Sequence, residues 1–397
     1  KRALTAGLLS MGVQVFDMEI ESIPVNRHSV KFYNADMGIY VQMSPMTGLQ
    51  FIQIQVFDRF GFQLPVSAEK KIENIFFRGD YPRKDAFDVG KLVYPMHHLE
   101  SYITNIRNYV NFDILAERKW KVIVDCFNGS TSHVFPDLLT GFGCGTTVLR
   151  GQIKEFISEK ELREETRQSL DNITRMCRAN SEVGVIIGPH GENITILDET
   201  GKIFSPEEIS AFICMYYLKH KGEKLIYIPV TSSSIIEKLA MQYGAMVTRT
   251  STKIRAPQGT EDIFLSREQG MYPYLEREYD PMIVFLLILE YAALEGIPLA
   301  ELRRQIPETN LHSIQIPCTI DEKAAIMRYL SSLPEKKGTT VEMIDGIRIV
   351  REDAWALVLP DAIQPYIHLY GEGRTAAARD TILEEYSLLI KKYQKGR

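Results

Sequence analysis

Features that would direct this sequence to nucleic acid or into a membrane are scarce. The net charge is −5, and no run of lysine and arginine could neutralise a line of phosphates. The longest apolar run, residues 282–289, ends at Glu290 and is far shorter than the roughly 20 residues that a membrane span needs. We therefore expect neither a nucleic-acid partner nor a membrane partner, and we predict a buried core helix for this run.

Cysteine is also scarce. Its five copies are odd in number, far apart and mostly inside apolar segments, at positions 126, 144, 177, 214 and 318. This pattern is typical of buried thiols in a reducing compartment and disfavours a disulfide framework or a zinc site. A secretory signal is not predicted either, because strand-like residues 13–18 follow where a cleavage site would lie. These features predict a cytoplasmic protein.

One pattern occurs three times in the chain: an amphipathic helix ends at a glycine and runs directly into a β-rich segment. The length of 397 residues already predicts several packed domains rather than one core. Each glycine occupies the position where a helix end favours a left-handed residue. The copies are residues 3–18 with Gly12, residues 135–150 with Gly143, and residues 235–250 with Gly244.

A predicted strand precedes the second and third copies, at residues 121–125 and 225–229. Each of these copies is therefore a β-α-β unit, the building block of sheets with helices on both faces. No strand precedes the first copy, because its helix is predicted to begin at the first residues. We expect the native polypeptide to continue upstream of Lys1; a variant with a naturally short first domain is the alternative.

The last part of the chain follows a different pattern. Strands are predicted at residues 341–344, 347–351, 354–359 and 366–370, and a long helix at residues 374–393. Asp345-Gly346 and Glu352-Asp353 are typical hairpin turns between the first three strands. This pattern predicts a small α+β domain, joined to the rest by the turn-rich residues 334–339.

The order and spacing of these segments resemble the α-D-phosphohexomutase superfamily, which includes phosphomannomutase and phosphoglucomutase. The resemblance covers essentially the whole chain and implies an α/β fold of three consecutive phosphohexomutase-type α/β domains, the first N-terminally truncated, plus a small C-terminal α+β domain. The implied domains are residues 1–112, residues 113–220 with a former metal loop, residues 221–335 with a sugar loop, and residues 336–397 with a phosphate loop. The segments that carry the resemblance include MGIYVQMSP, VGVIIGPHGENITIL and WALVLPDAIQPYIHLYGEG.

Active members of that family move a phosphate between C1 and C6 of a hexose through a phosphoserine, assisted by bound magnesium. The resemblance places Ser44 at the phosphoserine position, but the histidine and asparagine that follow this serine in active members are absent. Three alternating carboxylates hold the magnesium ion in active members, and Gly188, His190 and Glu192 stand at those positions here. One carboxylate and one imidazole make a poor magnesium site. We expect no cofactor, or Mg²⁺ if the chain is active.

Two further loops bind the substrate in that family. Glu268 and Gln269 stand at the sugar-binding positions, where Glu268 keeps an acceptor for a hydroxyl. Asp361 and Gln364 belong to the phosphate loop, which in active members contains an arginine and hydroxyl donors for the phosphate. The loop here lacks that arginine and those hydroxyls, and Asp361 would place a negative charge where the phosphate lies.

All four loops differ from the active pattern, whereas the strands around them are kept. We predict a phosphomannomutase/phosphoglucomutase-like domain that lacks mutase activity and serves as a structural or sugar-phosphate-sensing module. The resemblance extends to the degenerate C-terminal part of mannose-1-phosphate guanylyltransferase-type enzymes of nucleotide-sugar and carbohydrate metabolism, which implies an upstream nucleotidyltransferase domain in the same polypeptide. A sugar phosphate in the interdomain cleft and a homo-oligomer are further expected partners.

Two alternatives stay open at this point, and the sequence does not decide whether the chain is itself an enzyme. The first is an active phosphohexomutase that interconverts hexose 1- and 6-phosphates through Ser44, with Glu192 and Glu268 in its site. The second is a cleft that binds a different ligand, with His190 and Glu192 as polar contacts.

Overall fold

The computed structural model describes residues 1–43, 52–79, 81–154, 159–252, 264, 271–333, 338–361 and 364–395. The chain divides into two compact units. The first unit comprises Lys1–Phe204, Ala256–Ser266 and Glu276–Arg303, and the second comprises Ser205–Arg255, Arg267–Leu275 and Arg304–Arg397. The four domains named above are a finer division, which stays a prediction.

The first unit begins with the first helix–glycine–strand copy. Helix α1 (Arg2–Ser10) leads through Gly12, whose φ is +81°, into β1 (Val15–Phe16). This confirms the predicted left-handed residue at the helix end. Strand β1 pairs in parallel with β4 (Leu92–Val93). The other elements of this part are α2 (Ile23–Phe32), β2 (Met37–Met43), β3 (Ile52–Asp58), α3 (Val66–Arg78), α4 (His98–Ile106) and α5 (Phe112–Arg118).

A four-stranded sheet forms the centre of the first unit. Its order is β6-β5-β7-β8, where β5 is parallel to β6 and β7, and β7 and β8 form an antiparallel hairpin. The unit β5-α6-β6 confirms the predicted β-α-β unit at residues 121–149. The elements are β5 (Lys121–Asp125), α6 (Phe135–Gly141), β6 (Gly145–Leu149), α7 (Glu159–Asn180), β7 (Val183–Ile187) and β8 (Ile194–Leu197).

The long apolar run forms a core helix of the first unit, as predicted. Helix α11 (Pro281–Glu295) is buried on all sides from Pro281 to Ala292, as expected of a helix that is apolar all round. The Asp280 carboxylate begins this helix by accepting hydrogen bonds from the backbone N–H groups of Met282 and Ile283. Helix α12 (Leu299–Arg303) follows. In the described part of the chain no helix is long and apolar enough to cross a membrane.

The second unit contains the third predicted β-α-β unit. Strands β9 (Leu225–Pro229) and β10 (Met246–Thr250) are parallel, and α9 (Ile235–Gln242) connects them. Gly244, with φ of +62°, ends the helix as predicted. Helix α8 (Pro206–Tyr216) precedes them, and α10 (Pro273–Tyr279) spans the boundary between the two units in sequence.

The five-stranded sheet of the second unit confirms the predicted C-terminal strands and extends them. All neighbours in the order β11-β15-β14-β13-β12 are antiparallel. Strand β11 and helix α13 lie before residue 336, where the last domain was predicted to begin, but Ile316 and Ile326 share one core with Ile349 and Ile367. The elements are β11 (His312–Pro317), α13 (Ile320–Ser331), β12 (Thr340–Glu342), β13 (Ile347–Val350), β14 (Ala354–Pro360), β15 (Tyr366–Gly373) and α14 (Ala376–Lys395).

The cysteines lie where their apolar surroundings predicted. All five are buried, and none of them forms a disulfide bond within the described part of the chain. Burial raises the pKa of three of these thiols, at Cys126, Cys144 and Cys177, to about 12. Such thiols stay protonated and act as small apolar side chains.

Candidate functional site

The predicted former metal loop, residues 188–193, is the tight turn of the β7-β8 hairpin. Ile187 pairs with Ile194, and the Gly188 N–H donates to the Asn193 carbonyl over 2.8 Å. Gly191 has a φ of +80°, which only glycine adopts without strain. The predicted strands on both sides of the loop and its turn glycine are thus confirmed.

The turn that follows β5 holds this loop in position. The Ser130 N–H and hydroxyl both donate to the carbonyl of Pro189, over 2.9 and 3.0 Å. The Ile23 N–H donates to the carbonyl of His190 over 2.9 Å. A Cβ at Gly129 would lie 2.2 Å from Cα of Pro189, so the close approach of the two backbones requires glycine.

The Glu192 carboxylate accepts hydrogen bonds from two buried glutamine amides. Gln55 Nε2 donates to Oε1 over 2.8 Å, and Gln42 Nε2 donates to Oε2 over 3.3 Å. Strands β2 and β3 place both amides on one face, because Gln42 pairs with Gln53 and Tyr40 pairs with Gln55 in the antiparallel register. Sequence reasoning singled out Glu192 as the remaining carboxylate but missed both glutamines.

His190 contacts a half-buried tyrosine, Tyr40. Tyr40 Oη donates to the carbonyl of Glu21 over 2.9 Å and lies 3.2 Å from Nδ1 of His190. Because a phenol carries one proton, the imidazole Nδ1 is the donor in the second contact. Burial lowers the pKa of His190, and the negative charge of Glu192 opposes the shift. Burial therefore favours the neutral form of this imidazole.

A buried arginine, Arg27, lies in the same unit as His190 and Glu192. The Arg27 guanidinium carbon lies 5.0 Å from the ring centre of Phe57 and 5.1 Å from that of Tyr279. Its Nη1 donates to the carbonyls of Glu278 and Tyr279, over 2.9 and 2.7 Å. Burial lowers the pKa of this guanidinium, while nearby acidic groups, Glu192 among them, raise it. Arginine keeps its charge under such shifts, so Arg27 remains positively charged.

The donor set of the loop does not fit a magnesium ion. Glu192 is the only carboxylate of residues 188–193, and both of its oxygens already accept amide hydrogens. His190 offers a nitrogen, whereas a hard cation prefers several oxygen ligands. Among the residues that the structure describes, no group of three or more His, Cys, Asp or Glu side chains could hold a metal ion. No chemistry of this chain is therefore derived from a metal at this loop.

The predicted phosphate-loop residues contact each other and two unpredicted side chains in the second unit. The Asp361 carboxylate accepts from the Gln364 N–H over 2.7 Å and lies 3.0 Å from Nε2 of His368. Lys323, 8% exposed, donates its ammonium group to the carbonyls of Asp361 and Gln364. Residues 359–365 contain no arginine, but Lys323 of α13 places its ammonium group against this loop. The capping box at Thr319 predicts where α13 begins, but it does not predict that Lys323 contacts a loop 38 positions later.

Three predicted site residues lie outside the described residues, namely Ser44, Glu268 and Gln269. Of the remaining four, His190 and Glu192 share one loop of the first unit, and Asp361 and Gln364 share one loop of the second unit. The residues that sequence reasoning missed are Tyr40, Gln42, Gln55, Arg27, Lys323 and His368. Nothing in their local sequence pattern marks the first four, because their partners lie far away along the chain.

The fold and these loops define the class as an α/β protein of parallel β-α-β units with a C-terminal antiparallel sheet. A family model described as phosphoglucomutase/phosphomannomutase, alpha/beta/alpha domain I, matches residues 1–83. This match, together with whole-chain relatives and structural neighbours, supports the predicted resemblance. The chain is thus similar to phosphohexomutases over essentially its whole length.

Curated relatives cover nearly the whole chain. A phosphoglucomutase/phosphomannomutase of Thermococcus kodakarensis is 25% identical, covering 100% of this chain and 88% of the relative. A phosphoglucosamine mutase of Methanocaldococcus jannaschii is also 25% identical, covering 98% of this chain and 88% of the relative. Neither of these relatives is named as a nucleotidyltransferase, so they favour the active-mutase alternative over the module of a guanylyltransferase-type enzyme.

Solved structures show the same fold. A phosphoglucomutase/phosphomannomutase family protein from Burkholderia thailandensis has a TM-score of 0.79 at 16% identity, covering 100% of this chain and 86% of that protein. An N-acetylphosphoglucosamine mutase from Aspergillus fumigatus, solved with GlcNAc-6P and magnesium, has a TM-score of 0.51 at 10% identity, covering 93% and 95%. Both of these proteins are less than 25% identical to this chain, so the similarity concerns the fold alone.

Proposed function

We propose that this chain is a phosphohexomutase-type protein that interconverts hexose 1- and 6-phosphates. Its similarity to mutases over 98–100% of its length is the observation that carries the proposal. Ser44 is the proposed phosphoryl carrier, since the family resemblance places it at the phosphoserine position. The family resemblance places the β7-β8 hairpin at the position of the metal loop of active members. No step of the proposal passes through a cation at residues 188–193.

A coupled assay with mannose 1-phosphate, glucose 1-phosphate or glucosamine 1-phosphate and a catalytic amount of the matching bisphosphate tests this function. We expect turnover of at least one sugar phosphate, and we expect Ser44→Ala to abolish it because no phosphoryl acceptor then remains. Ser331→Ala, an exposed helix position, is the matched control and should keep full activity. Turnover that survives Ser44→Ala would contradict the assignment of Ser44.

A second candidate function is a module that binds sugar phosphates without catalysis and serves a nucleotide-sugar enzyme of the guanylyltransferase type. The specific observation in its favour is the engagement of Glu192 by Gln42 and Gln55, which leaves no oxygen-rich cation site in the loop. A sugar phosphate that raises the melting temperature of the chain, with no turnover of any of the three substrates, would support this candidate. Turnover lost in Ser44→Ala would reject it.

A further inference from the structure

The glutamine pair that faces Glu192 is built into the strand hairpin β2-β3. In the antiparallel register, Gln42 lies opposite Gln53, and its Nε2 also donates to Gln53 Oε1 over 3.1 Å. Gln55 lies two residues further along β3, on the same face. Gln42 is 5% exposed and Gln55 is 7% exposed. The strand pairing therefore holds the amides of Gln42 and Gln55 where they reach the two oxygens of Glu192.

Burial of polar amides at this place requires a reason, because it costs free energy unless their donors and acceptors are used. Their N–H groups are used by the Glu192 carboxylate. Within the described part of the chain, their amide oxygens have no hydrogen-bond partner. Both glutamine amides are therefore oriented to donate to Glu192, even though the oxygen of each amide is left without a donor.

A buried cation, Arg27, lies in the same unit as Glu192. Arg27 is 5% exposed and is held by the Phe57 and Tyr279 rings and by two backbone carbonyls. Carbonyls carry only partial charges, so the guanidinium retains a net positive charge that Glu192 can partly neutralise. A divalent cation bound to Glu192 would have to displace both amides from its oxygens.

We infer that the amides of Gln42 and Gln55 hold Glu192 and the 188–193 loop in place without any divalent cation. The inference concerns the same loop as the proposed function but does not depend on mutase activity. Its test therefore measures metal binding and stability, so that its failure is distinguishable from the failure of the proposed function.

The unmodified chain is tested first, with Mn²⁺ as the metal because its free-ion spectrum disappears on binding. We expect the melting temperature to be equal in EDTA and in Mg²⁺, and the free Mn²⁺ signal to persist in the presence of excess protein. A melting temperature that falls in EDTA would overturn the inference. So would stoichiometric Mn²⁺ binding that is lost in Glu192→Gln.

The variant Gln55→Glu tests the amide itself, because it replaces a donor 2.8 Å from Glu192 with an isosteric carboxylate. We expect its melting temperature in EDTA to fall by roughly 2–6 °C, from like-charge repulsion, given about 2–4 °C per kcal/mol in units of this size. The loss should shrink as the pH falls below about 5, where two facing carboxylates share a proton. A purely steric role would not produce that pH dependence.

Gln53→Glu is the matched control on the same strand. Gln53 accepts from Gln42 through its side-chain oxygen, and a carboxylate keeps that role. We expect its melting temperature to equal that of the unmodified chain. If Gln55→Glu behaves like Gln53→Glu in EDTA, the amide of Gln55 does not hold Glu192, and the inference is wrong.

Discussion

Removal of the Glu372 carboxylate should destabilise the second unit more than any surface substitution. Glu372 lies on β15 opposite Trp355 and is 3% exposed. It accepts four hydrogen bonds, from the hydroxyls of Ser233 and Thr309 over 2.5 and 2.8 Å, the N–H of Ser234 over 2.8 Å, and Nε1 of Trp355 over 2.9 Å. This one side chain therefore joins the start of α9 to the C-terminal sheet.

The magnitude follows from the donors that Glu372→Ala would leave without an acceptor. The Ser233 and Thr309 hydroxyls lie 2.8 Å apart and can bond to each other. The Ser234 and Trp355 N–H groups have no such replacement, and each buried unsatisfied donor costs about 1–3 kcal/mol. We expect a loss of about 2–6 kcal/mol in the free energy of unfolding. Glu372→Gln keeps one acceptor and should lose only about 1–2 kcal/mol.

The stability that Glu372 confers depends on pH, and the direction of its pKa shift gives the sign of that dependence. Burial alone would raise the pKa of Glu372, but the hydrogen bonds from Ser233, Ser234 and Thr309 outweigh burial and lower it below its ordinary value of 4.5. A carboxyl whose folded pKa is lowered stabilises the fold above the unfolded pKa, and this stabilisation is lost as the pH falls through the folded pKa. Glu372→Gln cannot titrate, so its stability should depend less on pH in that acidic range.

Urea unfolding followed by Trp355 fluorescence measures these losses. The chain has two tryptophans, so a Trp120→Phe background restricts the signal to the second unit. Glu385→Gln, which breaks a partly exposed ion pair with Arg351 at 2.9 Å, is the control and should cost less than about 1 kcal/mol. A free energy of unfolding of Glu372→Ala within about 1 kcal/mol of the parent, as small a change as in the control, would contradict this expectation.

Two further substitutions test the candidate loop. Gly129→Ala should cost about 1–3 kcal/mol of stability, because its Cβ would lie 2.2 Å from Cα of Pro189. Gly141→Ala is the control and should cost nothing, because the space around its Cβ is open. Equal melting temperatures for the two variants would disprove the close contact at Gly129. His190→Asn should remove pH dependence on the acidic side of 6.5. The folded pKa of His190 is lowered, so the unfolded state binds more protons there and the parent loses stability as the pH falls; identical pH profiles of parent and variant would contradict this.

Local patterns predicted the elements whose partners are near in sequence. The left-handed glycines Gly12, Gly143 and Gly244 and the parallel pairs β5-β6 and β9-β10 were all predictable, because a β-α-β unit closes on itself within about 30 residues. The hairpins of the C-terminal sheet were predictable from their turns for the same reason. Strand β11 was not assigned to that sheet, because it pairs with β15 across more than 40 intervening residues.

The candidate site shows the same limit. The hairpin shape of residues 188–193 and the survival of a single carboxylate at Glu192 could be read from the sequence. The partners of that carboxylate could not, because Gln42 and Gln55 lie on a different hairpin and carry no motif of their own. The contact between Lys323 and the carbonyl of Asp361 could not be read from the sequence either. Lys323 lies on α13, whose N-cap Thr319 precedes Asp361 by 42 positions.

The resemblance to phosphohexomutases, the β-α-β units and the single carboxylate of residues 188–193 could be read from the sequence alone, since each depends on residue type and short-range spacing. The partners of that carboxylate became visible only in the folded structure. The amides of Gln42 and Gln55 reach Glu192 because the β2-β3 and β7-β8 hairpins pack together. The energy of such contacts depends on distance in space, which local sequence patterns do not encode.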